Sequence, residues 1–351
     1  MRWSLLAAIS ASPLVLSVFA FGAAPSPGPT RVSEPVTHEN LTVYFIHGPS
    51  APGKAPLTLE EALAKRTVEV RETGNVNQLE IENLGEDEVF IQSGDIVKGG
   101  QQDRALMVSL VLPPKSGRIA IDSFCVEQGR WSARGGEDVR RFSSATAHVP
   151  SREMKIALRA PKAPAVAGLF AGSNRPGYAE TGVRQSEVWD GVRKMQNRLT
   201  ENVGSTVSAV QSPSSLQLAL ENDKLVALQR GYIDALKTTG ETDDDIIGYV
   251  FAVNGKLNSA DLYPSNALFR KMWGKLLRSS ATEAIGHKGE ASEAVPSIEA
   301  VTAFLADAER GHGNQKALTA GLTLDTREGD KAYYFETTRA SGWLHRNYLA
   351  K

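Results

Sequence analysis

The string Gly94-Asp95-Ile96-Val97-Lys98-Gly99-Gly100-Gln101-Gln102-Asp103-Arg104, with Cys125-Val126-Glu127-Gln128-Gly129-Arg130-Trp131 beyond it, decides how this chain reads. Between the two, Ala105 to Phe124 alternates apolar and polar residues, turns at Lys115-Ser116-Gly117, and alternates again. Alternation with period two marks a half-buried strand, and two such runs around a turn predict a hairpin. A hairpin returns the end of its second strand to the start of its first. The two polar strings therefore meet at one end, and a site is expected there.

The residue types suggest two chemistries. Gly94, Gly99 and Gly100 let backbone N–H groups approach an anion closely. Lys98 and Arg104 add positive charge, and the amides of Gln101 and Gln102 can orient a sugar or a base. Glu127 and Gln128 would close the site with Arg130, whose guanidinium suits a phosphate, and Trp131, whose flat face suits a base or sugar. Alternatively Asp95, Asp103 and Glu127 supply an acid/base pair for a glycosidic or phosphoester bond, if two of them reach the needed separation. The same carboxylates can equally be ion-pair partners of Lys98, Arg104 and Arg130, with the glycine string a plain turn. Cys125 is the sole cysteine, so no intramolecular disulfide forms. It shares parity with Ile119 and Ile121, which predicts burial, and its carboxylate neighbours disfavour a thiolate nucleophile.

Outward from this stretch the N-terminal side stays mostly β. Leu41 to Ile46 reads as a strand, and Thr58-Leu59-Glu60-Glu61 opens a short helix with the reciprocal pattern of a capping box. Short strands follow at Val68 to Arg71, Gln78 to Asn83 and Val89 to Gln92. On the other side, Gly135 to about Pro176 has no sustained period and reads as a loop or linker with a short helix near Arg152 to Leu158. Val188, Val192, Met195 and Leu199 then mark the apolar face of a helix. Further helices are expected at Ser214 to Glu221 and Asp223 to Lys237. A hairpin runs from Ile246 to Tyr263 around Asn254-Gly255, whose residues suit a turn with positive φ. Ser265 caps a helix with Leu268, Phe269, Met272, Trp273, Leu276 and Leu277 inward and Arg270, Lys271, Lys275 and Arg278 on a solvated face. One more helix is expected within Glu290 to Ala308, and strands near Ala317 to Leu324, Ala332 to Thr338 and Gly342 to Tyr348.

The fold class is therefore α+β, a mostly β N-terminal part (39–134) and a helix-rich α+β C-terminal part (184–351), packed on one extended core across an irregular segment (135–183). The 351 residues with 41% hydrophobic content suffice for such a core. A formal net charge of -1 provides no bulk field for nucleic acid, which is not expected as a partner. There is no Gly-rich loop followed by Lys-Ser/Thr and no G-x-S-x-G elbow. The six histidines are far apart in sequence, so no metal site is expected, and no cofactor is identified. At the N-terminus, Arg2 precedes an apolar run from Leu5 to Phe21 and then a Pro-rich linker (23–38). This is the layout of a secretory signal peptide (1–22), with Ala20 and Gly22 before the cleavage point. An exported protein, periplasmic or extracellular and without a stable membrane span after cleavage, is expected.

The two strings quoted first resemble the ARG and rhodanese-phosphatase-superfamily-associated protein domain. So do Leu57-Thr58-Leu59-Glu60-Glu61-Ala62-Leu63, Gln185-Ser186-Glu187-Val188-Trp189 and Leu268-Phe269-Arg270-Lys271-Met272-Trp273-Gly274-Lys275-Leu276-Leu277. The likeness spans most of the chain after the leader. It implies no established reaction; by association it implies a place near ADP-ribosylglycohydrolases and phosphatase-like proteins, and so ADP-ribose or NAD metabolism. The leading expectation is a binding module for a phosphorylated or nucleotide-sugar-like ligand. A hydrolase using Asp95, Asp103 or Glu127, and a secreted structural or protein-interaction domain, are the alternatives.

Overall fold

The computed structural model describes residues 30–130, 134, 141–159 and 178–351. The expected leader, Trp131 and much of the 135–183 segment lie outside them. Among the described residues, nine strands form one antiparallel sheet. Its order is Arg31–Val32, Leu41–His47, Ile246–Val253, Lys256–Leu262, Gly342–Ala350, Ala332–Arg339, Thr323–Glu328 and His312–Ala317, with Val36–His38 also paired to Leu41–His47. Alternation splits these strands between two cores. Phe45, Tyr249 and Phe251 face the helix Asn266–Gly286, while Tyr44, Ile46 and Val250 face the helix Ile298–Arg310. The first of these cores continues through both halves of the chain, from Leu41 to Leu344.

A second sheet has the order Phe142–His148, Asp95–Gly99, Arg104–Leu106, Gly117–Cys125, Gln78–Asn83 and Val68–Glu72. It curls until its edge strands, Phe142–His148 and Val68–Glu72, come into contact, an open barrel with a seam. Gly99 and Gly100 cross near that seam at φ +120 and +54. A Cβ on Gly99 would lie 2.5 Å from the Arg141 carbonyl oxygen, and one on Gly100 2.3 Å from the Phe142 ring. The paired glycines are thus required by close packing as well as by backbone angle. A small third sheet joins Leu110–Leu112, Val89–Ile91 and, in parallel, Leu57–Thr58. The capping box is present: Thr58 Oγ1 accepts the Glu61 N–H at 3.1 Å, and Glu61 Oε2 accepts the Thr58 N–H at 2.8 Å.

Several expectations change. The Ala105 to Phe124 run is not one continuous hairpin. Arg104–Leu106 pairs with Ser123–Cys125, but Leu110–Leu112 leaves to join Val89–Ile91, and the start of the Gly117–Cys125 strand pairs with Gln78–Asn83. Leu110, Val111 and Leu112 are all buried, so their run needs cover on both faces, which a two-stranded hairpin cannot supply. The irregular segment contains a strand, Phe142–His148, and a helix, Arg152–Arg159. Small residues (Ser143, Ser144, Ala145, Ala147) and a register shift between Ser144 and His148 hide that strand's period. The C-terminal part is helix-rich only in part, for it also supplies six strands of the large sheet, and Leu41–His47 from the N-terminal part lies within the same sheet. The last helix begins only at Ile298, capped by Ser297, because Pro296 ends any earlier run. The strand expected at Ala317 to Leu324 is two strands, His312–Ala317 and Thr323–Glu328, around a turn at Thr319–Gly321.

Candidate functional site

The two polar strings do meet. Arg104 lies opposite Cys125, and the Val126 N–H donates to the Asp103 carbonyl at 3.0 Å. Asp103 and Glu127 are 0% exposed and share one cation. Arg134 Nη1 donates to Asp103 Oδ2 at 2.8 Å, to Glu127 Oε1 at 3.2 Å and to Ser215 Oγ at 3.2 Å, while Nη2 reaches Asp103 Oδ1 at 3.2 Å. Arg130 completes the knot with Nε 2.7 Å from Glu127 Oε2, and it donates to the Gly100 and Gly99 carbonyls at 3.1 and 3.2 Å. Ser215 donates to Asp103 Oδ2 at 2.9 Å and also caps the helix Leu216–Leu220. Two carboxylates and two guanidiniums therefore balance one another in the interior, which is how buried charge is tolerated. The carboxyls are not equivalent. Burial and the nearby Glu127 charge hold Asp103 above its ordinary range despite Arg134. Burial also raises Glu127, but Ser212, Arg130 and the Asp103 N–H outweigh it and hold that carboxyl below its ordinary range.

The other residues of the strings disperse around this knot. Arg104, 1% exposed, donates to Gln102 Oε1 at 3.3 Å and to Glu72 Oε2 at 3.4 Å. The Gln101 N–H donates to Glu72 Oε1 at 3.0 Å. Lys98 Nζ lies 2.6 Å from Glu221 Oε1. Gln128 is exposed and ties its backbone to the Ser214 hydroxyl. Gly94 and Asp95 sit at the far end of their strand, away from the knot. Cys125 is buried, its thiol raised chiefly by that burial. Beside the knot the barrel seam opens into a cavity of about 700 Å³. Among the described residues, Lys98, Gly99, Arg66, Arg71 and Arg141 line it together with one carboxylate, Glu69, and Leu63, Val68, Val70 and Phe142 form its apolar wall.

Asp95 leads to an interior cluster that the sequence did not single out. Its carboxylate accepts from Lys275 Nζ at 2.6 Å and from the Gln92 N–H at 2.8 Å, and it lies 3.3 Å from His148 Nε2. Lys275 was expected on a solvated face but is 8% exposed. It falls on the helical stripe of Leu268, Met272 and Ser279, and that spacing was the available signal. Asp261, central in the large sheet, accepts from Asn347 Nδ2 at 2.8 Å and Gln92 Nε2 at 3.2 Å, with His345 Nε2 at 3.1 Å. Ser109 Oγ is 3.0 Å from His345 Nδ1, so a Ser-His-Asp chain exists. Ser109 is 0% exposed and its oxygen already accepts the Ser93 N–H, so no carbonyl can approach it and the chain acts as a structural tie. Burial pushes His148 down to about 3 against the pull of Asp95. A cavity of about 10 Å³, room for one water, lies among these groups. Among the described residues no group of three or more His, Cys, Asp or Glu is placed to hold a metal, and no helix is long and apolar enough to cross a membrane.

A family model described as the ARG and Rhodanese-Phosphatase-superfamily-associated Protein domain matches residues 29–349. No curated protein and no solved structure matches the chain.

Proposed function

The chain belongs to the ARG and rhodanese-phosphatase-superfamily-associated protein domain family, and from that premise we propose that it binds a small phosphorylated, nucleotide-sugar-like ligand in the seam of its open barrel. One observation carries this reading: among the described residues the seam cavity is lined by four cationic side chains and a single carboxylate, beside an apolar wall suited to a base or sugar. Arg71 is paired with Glu69 and Glu82, and Lys98 with Glu221, through partly exposed ion pairs. Such pairs contribute about 0–1 kcal/mol, so a phosphate can replace them at small cost. Lys98 and Gly99 would touch the ligand, and the Asp103, Glu127 and Arg130 knot would hold the glycine turn behind them. ADP-ribose heads the ligand panel because of the family association. Export, supported by the signal-like residues 1–22, belongs to the same proposal, and the N-terminal mass of the secreted chain would test it.

The deciding experiment is thermal unfolding of residues 23–351 with ADP-ribose, NAD, nucleotides and sugar phosphates, alongside Arg66→Ala and Lys98→Ala. A ligand at 100 times its Kd adds about 2.7 kcal/mol of stability, enough to raise the midpoint visibly. The expected result is a rise with a phosphorylated compound that either substitution reduces. No rise with any of them would end the seam reading. A second reading, hydrolysis with Asp103 and Glu127 as the acid/base pair, requires the Arg130 and Arg134 cover to open, because both carboxylates are 0% exposed and ion-paired. Assaying the same mixtures for released phosphate or sugar tests it.

A further inference from the structure

We propose a second ligand site, centred on Arg159, for a small molecule carrying an anionic head, carboxylate or phosphate, on an apolar body. Arg159 ends the helix Arg152–Arg159 and stacks its guanidinium 4.1 Å over the Phe335 ring. It donates to Asn347 Oδ1 at 2.5 Å. Both contacts fix its plane, and neither neutralises it. Arg104, Arg130 and Arg134 each meet a carboxylate, whereas Arg159 meets none among the described residues. Residues 160–177, which follow it directly, contain Lys162 and Arg175 but no Asp or Glu. A partly buried, ordered guanidinium with no carboxylate in ion-pair contact among the described residues is costly unless an anion arrives, and its fork matches a carboxylate or phosphate.

The space around Arg159 gives the rest of the ligand its character. Arg159 and Lys316 line a cavity of about 350 Å³ whose walls include Met107, Leu110, Ile121 and Phe335. Its one carboxylate is Asp122, among the described residues. A further cavity of about 440 Å³ shares Arg159, Lys316 and Leu324 with it and adds one carboxylate, Glu328, which is paired with Lys351, so the two form one groove. Arg159 and Lys316 sit where the two cavities meet, with the apolar walls on the side of the first, and this combination selects an amphiphile over a bare anion. Burial lowers Arg159 to about 10 against the pull of Asp261, which lies beyond ion-pair contact. This inference does not depend on the seam site, which shares no lining residue with the groove.

Calorimetry and thermal unfolding of the same chain with octanoate, octyl phosphate, octanamide and inorganic phosphate test the proposal. Octanoate or octyl phosphate should bind and raise the midpoint, the better of the two naming the head group, while octanamide and inorganic phosphate should bind at least tenfold more weakly. Arg159→Gln should lose that binding and, because it removes an unpaired charge, should melt higher than the parent when no ligand is present. Lys316→Ala, at an exposed position, should weaken binding severalfold and carries the test if Arg159→Gln does not fold. Equal binding of octanamide, equal binding of inorganic phosphate, or unchanged affinity in the variants would overturn the proposal, as would no binding at all.

Discussion

At the scale of single residues, His148 shows how burial turns an ordinary side chain into a pH liability. Its ordinary pKa is about 6.5, and burial pushes it down to about 3 in the folded protein. Below about pH 6.5 the unfolded chain binds a proton there and the folded chain does not, so stability rises with pH across this window and is lost as pH falls. His345 is displaced in the same direction, also by burial, against the pull of Asp261. At about 1.36 kcal/mol per pH unit, His148 alone should remove about 2 kcal/mol between pH 6.5 and pH 5. Urea unfolding at pH 7.5 and 5.0 would read this directly. His148→Gln should flatten the dependence, and an unchanged slope would mean that the histidine is protonated in the fold. Lys275 and Asp95 illustrate the limit of reading residues singly, since Lys275 reads as a solvated charge and Asp95 as an acid/base or ion-pair carboxylate of the polar string until the fold places one against the other.

At the scale of elements, the Ile246–Val253 and Lys256–Leu262 strands were readable because every local cue agrees. Asn254 and Gly255 take φ values of +51 and +78, as a two-residue turn requires. Tertiary structure adds a second constraint, for a Cβ on Gly255 would lie 2.4 Å from the Glu293 carbonyl oxygen. Gly255→Ala should therefore cost about 2 kcal/mol or more in urea unfolding, from backbone strain together with displacement of the Glu293 segment. Gly231, exposed within the helix Asp223–Leu236 with open space at its Cβ, is the control. Gly231→Ala should stabilise by up to about 1 kcal/mol. Comparable losses at both positions would show that packing against Glu293 is not the cause. The Phe142–His148 strand is the contrasting case: its burial depends on pairing with Asp95–Gly99, from Phe142 opposite Gly99 to His148 opposite Asp95, and no local pattern announces that pairing.

At the scale of the whole molecule, the two halves are one cooperative unit. Leu41–His47 pairs with Ile246–Val253, some two hundred residues away, and Val43 and Phe45 lie in the core that the C-terminal helices cover. The barrel contributes Asp95 and His148 to the cluster completed by Lys275 from the long helix. A fragment of residues 184–351 expressed alone should show no cooperative unfolding transition, because its sheet lacks that strand and Lys275 lacks Asp95. A sharp transition in the fragment, measured by circular dichroism, would contradict this. The seam and the Arg159 groove have the same origin, since each is lined by residues distant in sequence.

Local signals along the chain are enough for the Thr58 capping box, the stripe from Val188 to Leu199 and the Asn254-Gly255 turn, and the alternation on either side of the Gly94 to Arg104 and Cys125 to Trp131 strings is enough to bring the two together as far as Arg130, although the strands between them do not form one hairpin. Those features follow from periodicity and backbone preference, which act over a few residues. The folded chain alone shows that Asp103 and Glu127 are closed off by Arg130 and Arg134, that Lys275 faces inward, and that Arg159 has no carboxylate in ion-pair contact among the described residues. Charge pairing depends on distance in space, and spacing along the chain does not encode it.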